Sequence, residues 1–405
     1  MKSIQTDVCI IGGGPAGLTL ALELVKKNLR VIVVEQAKHY DRSFRGESLS
    51  PDSVYILDYL EILDKLEQKG FISTNNLEIV ENEEKVLDIN FHNFKYKYKY
   101  PIDLPQPVLL GALLEKAANY VEFQIFRGAL CNDLITKEGK ILGVHCQTEE
   151  GKLEIYANLV VGADGRFSRV RDLAKLPYQK IPLNRDVLWF RLPLPRQWKN
   201  STCRVKIMRD RHALFLPTYP DTVRVGFNIP KGGLKAVKKQ GIKYLHEMIG
   251  ELEPDIAEST RENIKTWEDT SFLEIFTTIV SVWYRPGLVL IGDAAHTLSP
   301  ILGQGVNHAI IDAITLAPIV EKCLKDNPNN IVGVESLQKF QKSREKDIET
   351  VRNIQLRQEK VFSFQSDLMT FLRRTIYRIL NKNFWLQRII WQKICYEQQV
   401  RKLVK

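Results

Sequence analysis

The sequence predicts an α/β fold: a Rossmann-like domain assembled from separated segments, a mixed or antiparallel sheet domain inserted into it, and C-terminal helices. Three observations predict it. A glycine cluster stands between a buried strand and an apolar helix at the start of the chain. Two further short apolar strands, at 159–162 and 288–291, each run into a glycine-dotted loop. Between them, residues 179–282 are rich in alternating, strand-like segments.

The elements follow in order. Residues 6–11 (TDVCII) read as a buried strand, 15–27 as an apolar-periodic helix and 31–35 as a second buried strand, which makes a β-turn-α-β unit. Residues 51–69 carry Leu57, Leu60, Leu63 and Leu66 on one helical face. Residues 76–102 turn strand-like and end in the alternation Lys95-Tyr96-Lys97-Tyr98-Lys99-Tyr100, before Pro101, Pro105 and Pro107 break the chain ahead of a helix at 107–119. Residues 121–161 read as an antiparallel meander with turns at 137–140 and 149–152. One helix is expected near 240–250, another at 305–324, and residues 335–405 read as almost wholly helical. These textures divide the chain into 1–75, 103–178 and 280–360 for the Rossmann-like domain, 76–102 and 179–279 for the sheet domain, and 361–405 as a basic helical segment.

The 405 residues are 44% hydrophobic and 26% charged, a balance that excludes wholesale disorder and collagen. No run approaches the ~20 apolar residues of a membrane-spanning helix, and the N-terminus reads as a strand rather than a signal peptide. Net charge is +10, but residues 372–405 hold nine Lys or Arg against Glu397 alone, so eight of those charges lie in the tail. The rest is near neutral, which gives no argument for nucleic acid. Six cysteines without a CxxC pair fit reduced thiols in a cytoplasm, with no metal cluster.

Gly12-Gly13-Gly14-Pro15-Ala16-Gly17 supplies G-x-G-x-x-G between strand and helix. Gly12 permits a tight turn, Gly14 lets a pyrophosphate approach the backbone, and Gly17 lets the helix pack on the strand, while the helix N-terminus offers N–H groups to phosphate. Glu35 closes the next strand, where a carboxylate holds a ribose diol and repels a 2′-phosphate, so the site suits FAD or NAD. The second loop reads Gly162-Ala163-Asp164-Gly165-Arg166-Phe167-Ser168-Arg169-Val170-Arg171. The third reads Gly292-Asp293-Ala294-Ala295-His296, continuing through Pro300 to Gly303-Gln304-Gly305-Val306-Asn307.

With these three segments in order over roughly residues 6–320, the chain resembles the group A flavoprotein monooxygenases, the para-hydroxybenzoate hydroxylase-like family. The resemblance implies FAD as cofactor and NADPH or NADH as co-substrate. It implies O₂ addition to give a flavin C4a-hydroperoxide, and hydroxylation of an aromatic or polyketide-like small molecule. It also implies residue roles. Gly292 and Asp293 would hold the ribityl or pyrophosphate-side hydroxyls, with helix capping as the alternative for Asp293. Gly303, Gly305, Val306 and Asn307 would direct N–H groups at the flavin N1–C2=O edge. Asp164 would touch FAD, and Arg171 would help dock the nicotinamide donor, with a salt bridge as its alternative. Arg45, ahead of Arg42, would meet the FAD phosphates, and Gln106 the ribityl chain. His296 and Pro300 would lie beside the flavin. No residue is identified as a base for a phenol.

The inserted sheet should supply the substrate face. Alternation puts Trp189 and Arg191 on one side and Phe190 on the other, and Phe215 and Phe227 are further candidates; sheet-core packing is the alternative for each. The tail at 368–405 is apolar at helical spacing with interleaved Arg and Lys. It reads either as an interfacial helix drawn to anionic lipid or as a helix pair packing on the FAD domain with snorkelling basic residues. A GES segment at 46–48 is shared with halogenating relatives, but their W-x-W-x-I-P signature is absent. Two rival functions remain at this level: a flavin-dependent reductase of prenyl double bonds, and an escort protein of prenylated GTPases that keeps the fold without catalysis.

Overall fold

The computed structural model describes residues 2–40, 47–209, 211–328 and 330–395. The first sheet runs in the order Tyr284–Arg285, Leu288–Leu290, Gly151–Gly162, Lys2–Ile11, Val31–Glu35, Phe123–Arg127. The four central pairings are parallel. The apolar runs at 8–11, 31–35 and 159–161 are buried on both faces, as strands of a covered parallel sheet must be. The helix Pro15–Val25 is buried from Ala16 to Val25 because Gln304–Asp326 and Gln106–Ala117 pack around it. A helix apolar all round requires such neighbours.

The strand Phe123–Arg127 differs from the expected meander. It pairs in parallel with Val31–Glu35, as the return strand of a crossover through helix Gln106–Ala117, and the meander proper runs from Leu130 to Gly162. Short-range alternation is the same in both settings, so the pairing direction is set by the crossover helix.

The second sheet runs Ser271–Leu273, Arg185–Pro193, Thr222–Pro230, Arg211–Thr218, Thr202–Met208, Asn76–Glu81, Glu84–Asn90. All its pairs are antiparallel except Thr202–Met208 with Asn76–Glu81. One face carries Phe190, Phe215, Val225 and Phe227 against Leu245 and Ile249 of helix Ile242–Leu252. The opposite face turns toward the first sheet. Residues 95–100 form no strand. They are held by side chains instead: Lys97 on Asp58, Tyr98 edge-on to Tyr55, and the Tyr100 hydroxyl on His92.

Helices Val334–Phe362, Asp367–Lys382 and Phe384–Cys395 follow. The last two pack on the hairpin 76–90 of the second sheet rather than on the first-sheet domain. Arg373, fully buried, makes a two-pronged pair with Glu81 at 2.6 and 3.1 Å, and Trp391 meets Phe91 edge-on. The core-facing side is set by this ion pair, and the basic residues do not snorkel over the first domain. The outer side leaves Leu368, Phe371, Leu372, Ile376, Ile379 and Trp385 exposed. No described helix is long and apolar enough to cross a membrane.

Candidate active site

A cavity of about 850 Å³ runs from the glycine turn, between the two sheets, to the C-terminal helices. At its first end Gly12 has φ +109°, and a Cβ there would stand 2.4 Å from the Ala163 carbonyl oxygen. Only glycine fits both conditions. A Cβ on Gly17 would reach within 2.0 Å of the Gly12 carbonyl oxygen, whereas Gly14 looks into open space. Helix Pro15–Val25 begins with proline and has no side chain capping it. Gly14, Pro15 and Ala16 line the cavity, so the helix start can take a phosphate. Glu35, buried beside it, accepts Gly13 N–H at 2.6 Å through Oε2 and Ala37 N–H at 2.8 Å through Oε1. Both amides hold the carboxylate at the cavity wall, where carboxylate oxygens accept from sugar hydroxyls.

In the second loop Asp164 accepts the Ser168 hydroxyl at 2.5 Å and Val170 N–H at 3.0 Å, and Ser168 caps the short helix after it. Burial pushes the Asp164 carboxyl up, against those hydrogen bonds. Arg171 is 1% exposed and donates to the carbonyls of Ala294 and Arg166, with Tyr178 against its guanidinium at 3.8 Å. It ties the second loop to the third and is not presented to a nicotinamide donor. Arg166, four residues into the same loop, does line the cavity and lies 3.5 Å from Asp293.

Asp293 and Pro300 line the cavity, as do Gly303, Gly305 and Val306. Gly305 lies against the Asp293 carboxylate, which puts that carboxylate at the start of helix Gln304–Asp326. Leu302 and Gly303 are both left-handed, and this turns the loop so that the helix starts at the cavity. Asn307 also borders the cavity, but its side chain is spent on structure. It accepts Ser50 N–H and the Ser53 hydroxyl and donates to Gly303 and Ser48 carbonyls. Gln106 begins its helix, buried at the cavity wall. Arg42 and Arg45 lie outside the described residues.

His296 does not border the cavity. It is buried behind the third loop, donating through Nε2 to Asp312 at 2.6 Å. Asp312 also accepts Gly292 N–H at 2.8 Å and Arg344 Nε at 2.8 Å, and Arg344 donates to His308 Nδ1 at 2.8 Å. Sequence reading missed Asp312 and Arg344. The available signal was His308 and Asp312 one turn apart on a helix otherwise apolar along that face. Burial first, then the Arg344 charge, holds His308 well below the usual histidine range. For Asp312 burial pushes upward, but His296 and Arg344 together outweigh it and hold the carboxyl below its usual range. The unfolded chain protonates this histidine near pH ~6.5 while the folded chain does not, so the unfolded state binds the extra proton. Stability should therefore fall as pH drops below ~6.5, with a slope of about 1.4 kcal/mol per pH unit per such histidine. Asp312 adds to the loss below about pH 4. Denaturant unfolding from pH 8 to 5 checks this, and His308→Gln should flatten the upper part of the decline.

Of the second-sheet residues expected at the substrate, Trp189 lines the cavity and Arg191 extends from the same side of its strand toward Glu47, at 3.4 Å. Phe215 and Phe227 do not: both are 1% exposed in the core beneath helix Ile242–Leu252. Leu214 and Leu216, on either side of Phe215, and Arg224, three residues before Phe227, line the cavity instead. One residue of register separates the two faces. The Trp189 ring lies over Gly226, where a Cβ would come within 2.7 Å of it. Gly226→Ala should push the indole into the cavity and lower kcat/KM roughly tenfold, about 1.4 kcal/mol. Folding should change little, and steady-state kinetics beside a thermal melt would separate the two effects.

Comparison with known proteins decides the family. The family described as FAD binding domain matches residues 5–331. The chain is 36% identical over 319 residues to the 6-methylpretetramide 4-monooxygenase of Streptomyces rimosus, covering 78% of this chain and 75% of that one. The chain belongs to the group A FAD-dependent monooxygenases. Among solved structures, the p-nitrophenol 4-monooxygenase PnpA of Pseudomonas putida superposes with a TM-score of 0.81 at 18% identity, over 98% of this chain and all of that one. PqsL of Pseudomonas aeruginosa in complex with 2-aminobenzoylacetate gives 0.78 at 21%, over 94% of this chain and all of that one. This monooxygenase thus uses FAD, with NAD(P)H as its reducing co-substrate. FAD supplies the redox and oxygen chemistry when bound. The monooxygenase's own residues offer an uncapped helix start for phosphate, an aimed Glu35 for ribose, and Asp293 beside the helix that begins at the cavity.

Proposed function

We propose that this monooxygenase hydroxylates a polycyclic, phenolic, polyketide-like molecule held between the second sheet and the C-terminal helices. The observation that carries this reading is the chemistry of the cavity beyond the glycine end. Its walls are apolar, from Leu77, Ile79, Leu87 and Ile89 on the hairpin side to Leu380, Ile390 and Ile394 on the helices. A charged polar cluster stands on the sheet side around Ser48, Asp103 and Arg224, with the buried Trp189 indole N–H, which has no hydrogen-bond partner among the described residues, on the same wall. On the helix side Gln358, Tyr377 and Gln387 also border the cavity, with Gln358 bonded to the Tyr377 hydroxyl and Gln387 to the Leu380 carbonyl. A long apolar slot with a few convergent polar groups suits a flat ring system that carries oxygen substituents. The name of the Streptomyces relative supports the same class of substrate.

In this reading Gly12, Gly14, Pro15 and Ala16 hold the FAD pyrophosphate, with Gly17 packing the helix. Glu35 holds the ribose, Asp293 and Gln106 the ribityl chain, and Gly303, Gly305 and Val306 the flavin edge. Asn307, Asp164 and Gly292 shape the loops. Residues 76–102 and 179–279 form the substrate domain, on a FAD domain of 1–75, 103–178 and 280–360. The exposed apolar side of helix Asp367–Lys382, flanked by Lys382 and Arg388, contacts an anionic lipid surface. Co-sedimentation with phosphatidylserine vesicles, lost in Phe371→Ser/Ile379→Ser, checks that contact.

The test of function is direct. The purified protein should be yellow, oxidise NADPH or NADH faster when a hydroxylated naphthacene is added, and give a product heavier by one oxygen atom. A hydrogenated product formed equally well without air would overturn hydroxylation in favour of a reductase.

A further inference from the structure

We propose that Ser48 and Asp103, clamped by Arg224, form the proton relay that ionises a phenolic hydroxyl of the bound substrate. The inference rests on the hydroxylation reading above and adds the acid–base machinery that the sequence did not reveal.

The relay is built by a small sheet. The two-residue strands Ser48–Leu49 and Ile102–Asp103 pair antiparallel with Ser48 directly opposite Asp103, so their side chains leave the same face. The Ser48 hydroxyl donates to Asp103 Oδ1 at 2.5 Å. Arg224 Nη2 donates to Ser48 Oγ at 3.1 Å and to Asp103 Oδ1 at 3.3 Å, and the Thr74 hydroxyl donates to Asp103 Oδ2 at 3.2 Å. Arg224 Nη1 meets Glu47 at 3.1 Å, and Arg191 meets the same carboxylate at 3.4 Å. Asp103 and Arg224 are almost wholly buried, whereas Ser48 is partly exposed, and all three border the cavity. Ser48 Oγ is therefore the atom through which this cluster reaches a ligand. Ser48 also lies against Gly303, and its carbonyl accepts Asn307 Nδ2. These contacts fix the relay beside the loop assigned to the flavin edge.

The charges suit the task. Glu47 and Asp103 balance Arg191 and Arg224. A proton moved from substrate to Asp103 leaves the new phenolate facing the Arg224 guanidinium, so total charge is unchanged. Burial pushes the Asp103 carboxyl up, with Arg224, Ser48 and Thr74 opposing and Glu47 assisting. An acid raised in this way is a better proton acceptor than a solvated one. The step itself is a double transfer. The substrate O–H proton passes to Ser48 Oγ as the Ser48 proton passes to Asp103 Oδ1. The O–H electron pair stays on the substrate oxygen, and nothing is oxidised or reduced. The ring gains electron density ahead of oxygen transfer.

Alizarin is a suitable probe, since ionisation of its phenol turns it from yellow to red. Oxidised holoenzyme without NAD(P)H should bind alizarin in the red form at a pH where the free dye is yellow. Asp103→Asn should bind it yellow and shift its apparent ionisation upward by at least one pH unit. Ser48→Ala keeps every charge, and it should do the same with flavin content and melting unchanged. Red bound dye in both variants at the wild-type pH overturns the relay, as does dye that the wild type holds yellow or does not bind. Failure of the hydroxylation reading would appear elsewhere, as wild-type turnover that inserts no oxygen into a naphthacene substrate.

Discussion

Asp312→Ala is expected to destabilise the folded protein by about 3–5 kcal/mol, the range for breaking a buried ion pair by removing one partner. Asp312 is fully buried and accepts from Gly292 N–H, His296 and Arg344 at 2.6–2.8 Å. Removing the carboxylate leaves the Arg344 guanidinium, 2% exposed, without its main counter-charge, and it frees the amide that anchors the third glycine loop. Since Asp293 follows Gly292 directly, the flavin site should loosen with it. The measurement is denaturant unfolding at pH 8 with a parallel assay of bound flavin. Asp312→Asn keeps hydrogen-bonding capacity without charge and should fall between the two. A variant as stable as the wild type, with full flavin, would show that the network is not what holds the loop.

Arg373→Ala is expected to cost a similar amount, about 3–5 kcal/mol, but in a different place. Arg373 binds Glu81 through two nitrogens and also donates to the carbonyls of Val361, Phe362, Phe364 and Arg209. It joins the hairpin 76–90 to the corner between helices Val334–Phe362 and Asp367–Lys382. Truncation strands a buried Glu81 carboxylate and orphans buried carbonyls. The C-terminal helices should then detach from the hairpin, opening the substrate end of the cavity while the glycine end stays intact. Hydrogen exchange should rise at 367–395 and at 76–90, with flavin retained and turnover of a bulky substrate lost. Arg373→Lys should rescue little, because an ammonium cannot reproduce the planar fork. Arg373→Met with Glu81→Gln should recover part of the stability by removing both charges together.

The two substitutions mark how far the sequence could be read. The glycine turn, Glu35 and the three loops were legible because a phosphate-binding turn demands particular residues at fixed short spacing: a left-handed Gly12, an open Gly14, a close-packed Gly17. Trp189 was legible from alternation along one strand. Phe215 and Phe227 were assigned to the wrong side, because the period of two shows that faces alternate but not which face meets the ligand. Arg171 and His296 match the family's motif positions, yet both are buried and hold loops together. The chain direction of Phe123–Arg127 was misread for a related reason, since alternation carries no information about the partner strand.

What the sequence determined by itself was the chemistry set by neighbours within a few residues: the strand-turn-helix that receives a dinucleotide, and with it the flavoprotein family. What only the tertiary structure decided was every charge pairing that spans the chain. Asp312 with Arg344, Glu81 with Arg373, and Ser48 with Asp103 and Arg224 are separated by tens to hundreds of residues. A charged side chain reads as surface in a sequence, because its burial is tolerable only when an opposite charge arrives from elsewhere. That arrival is a property of the packed fold, and it is where the loops are held, the C-terminal helices docked and the cavity's acid–base chemistry assembled.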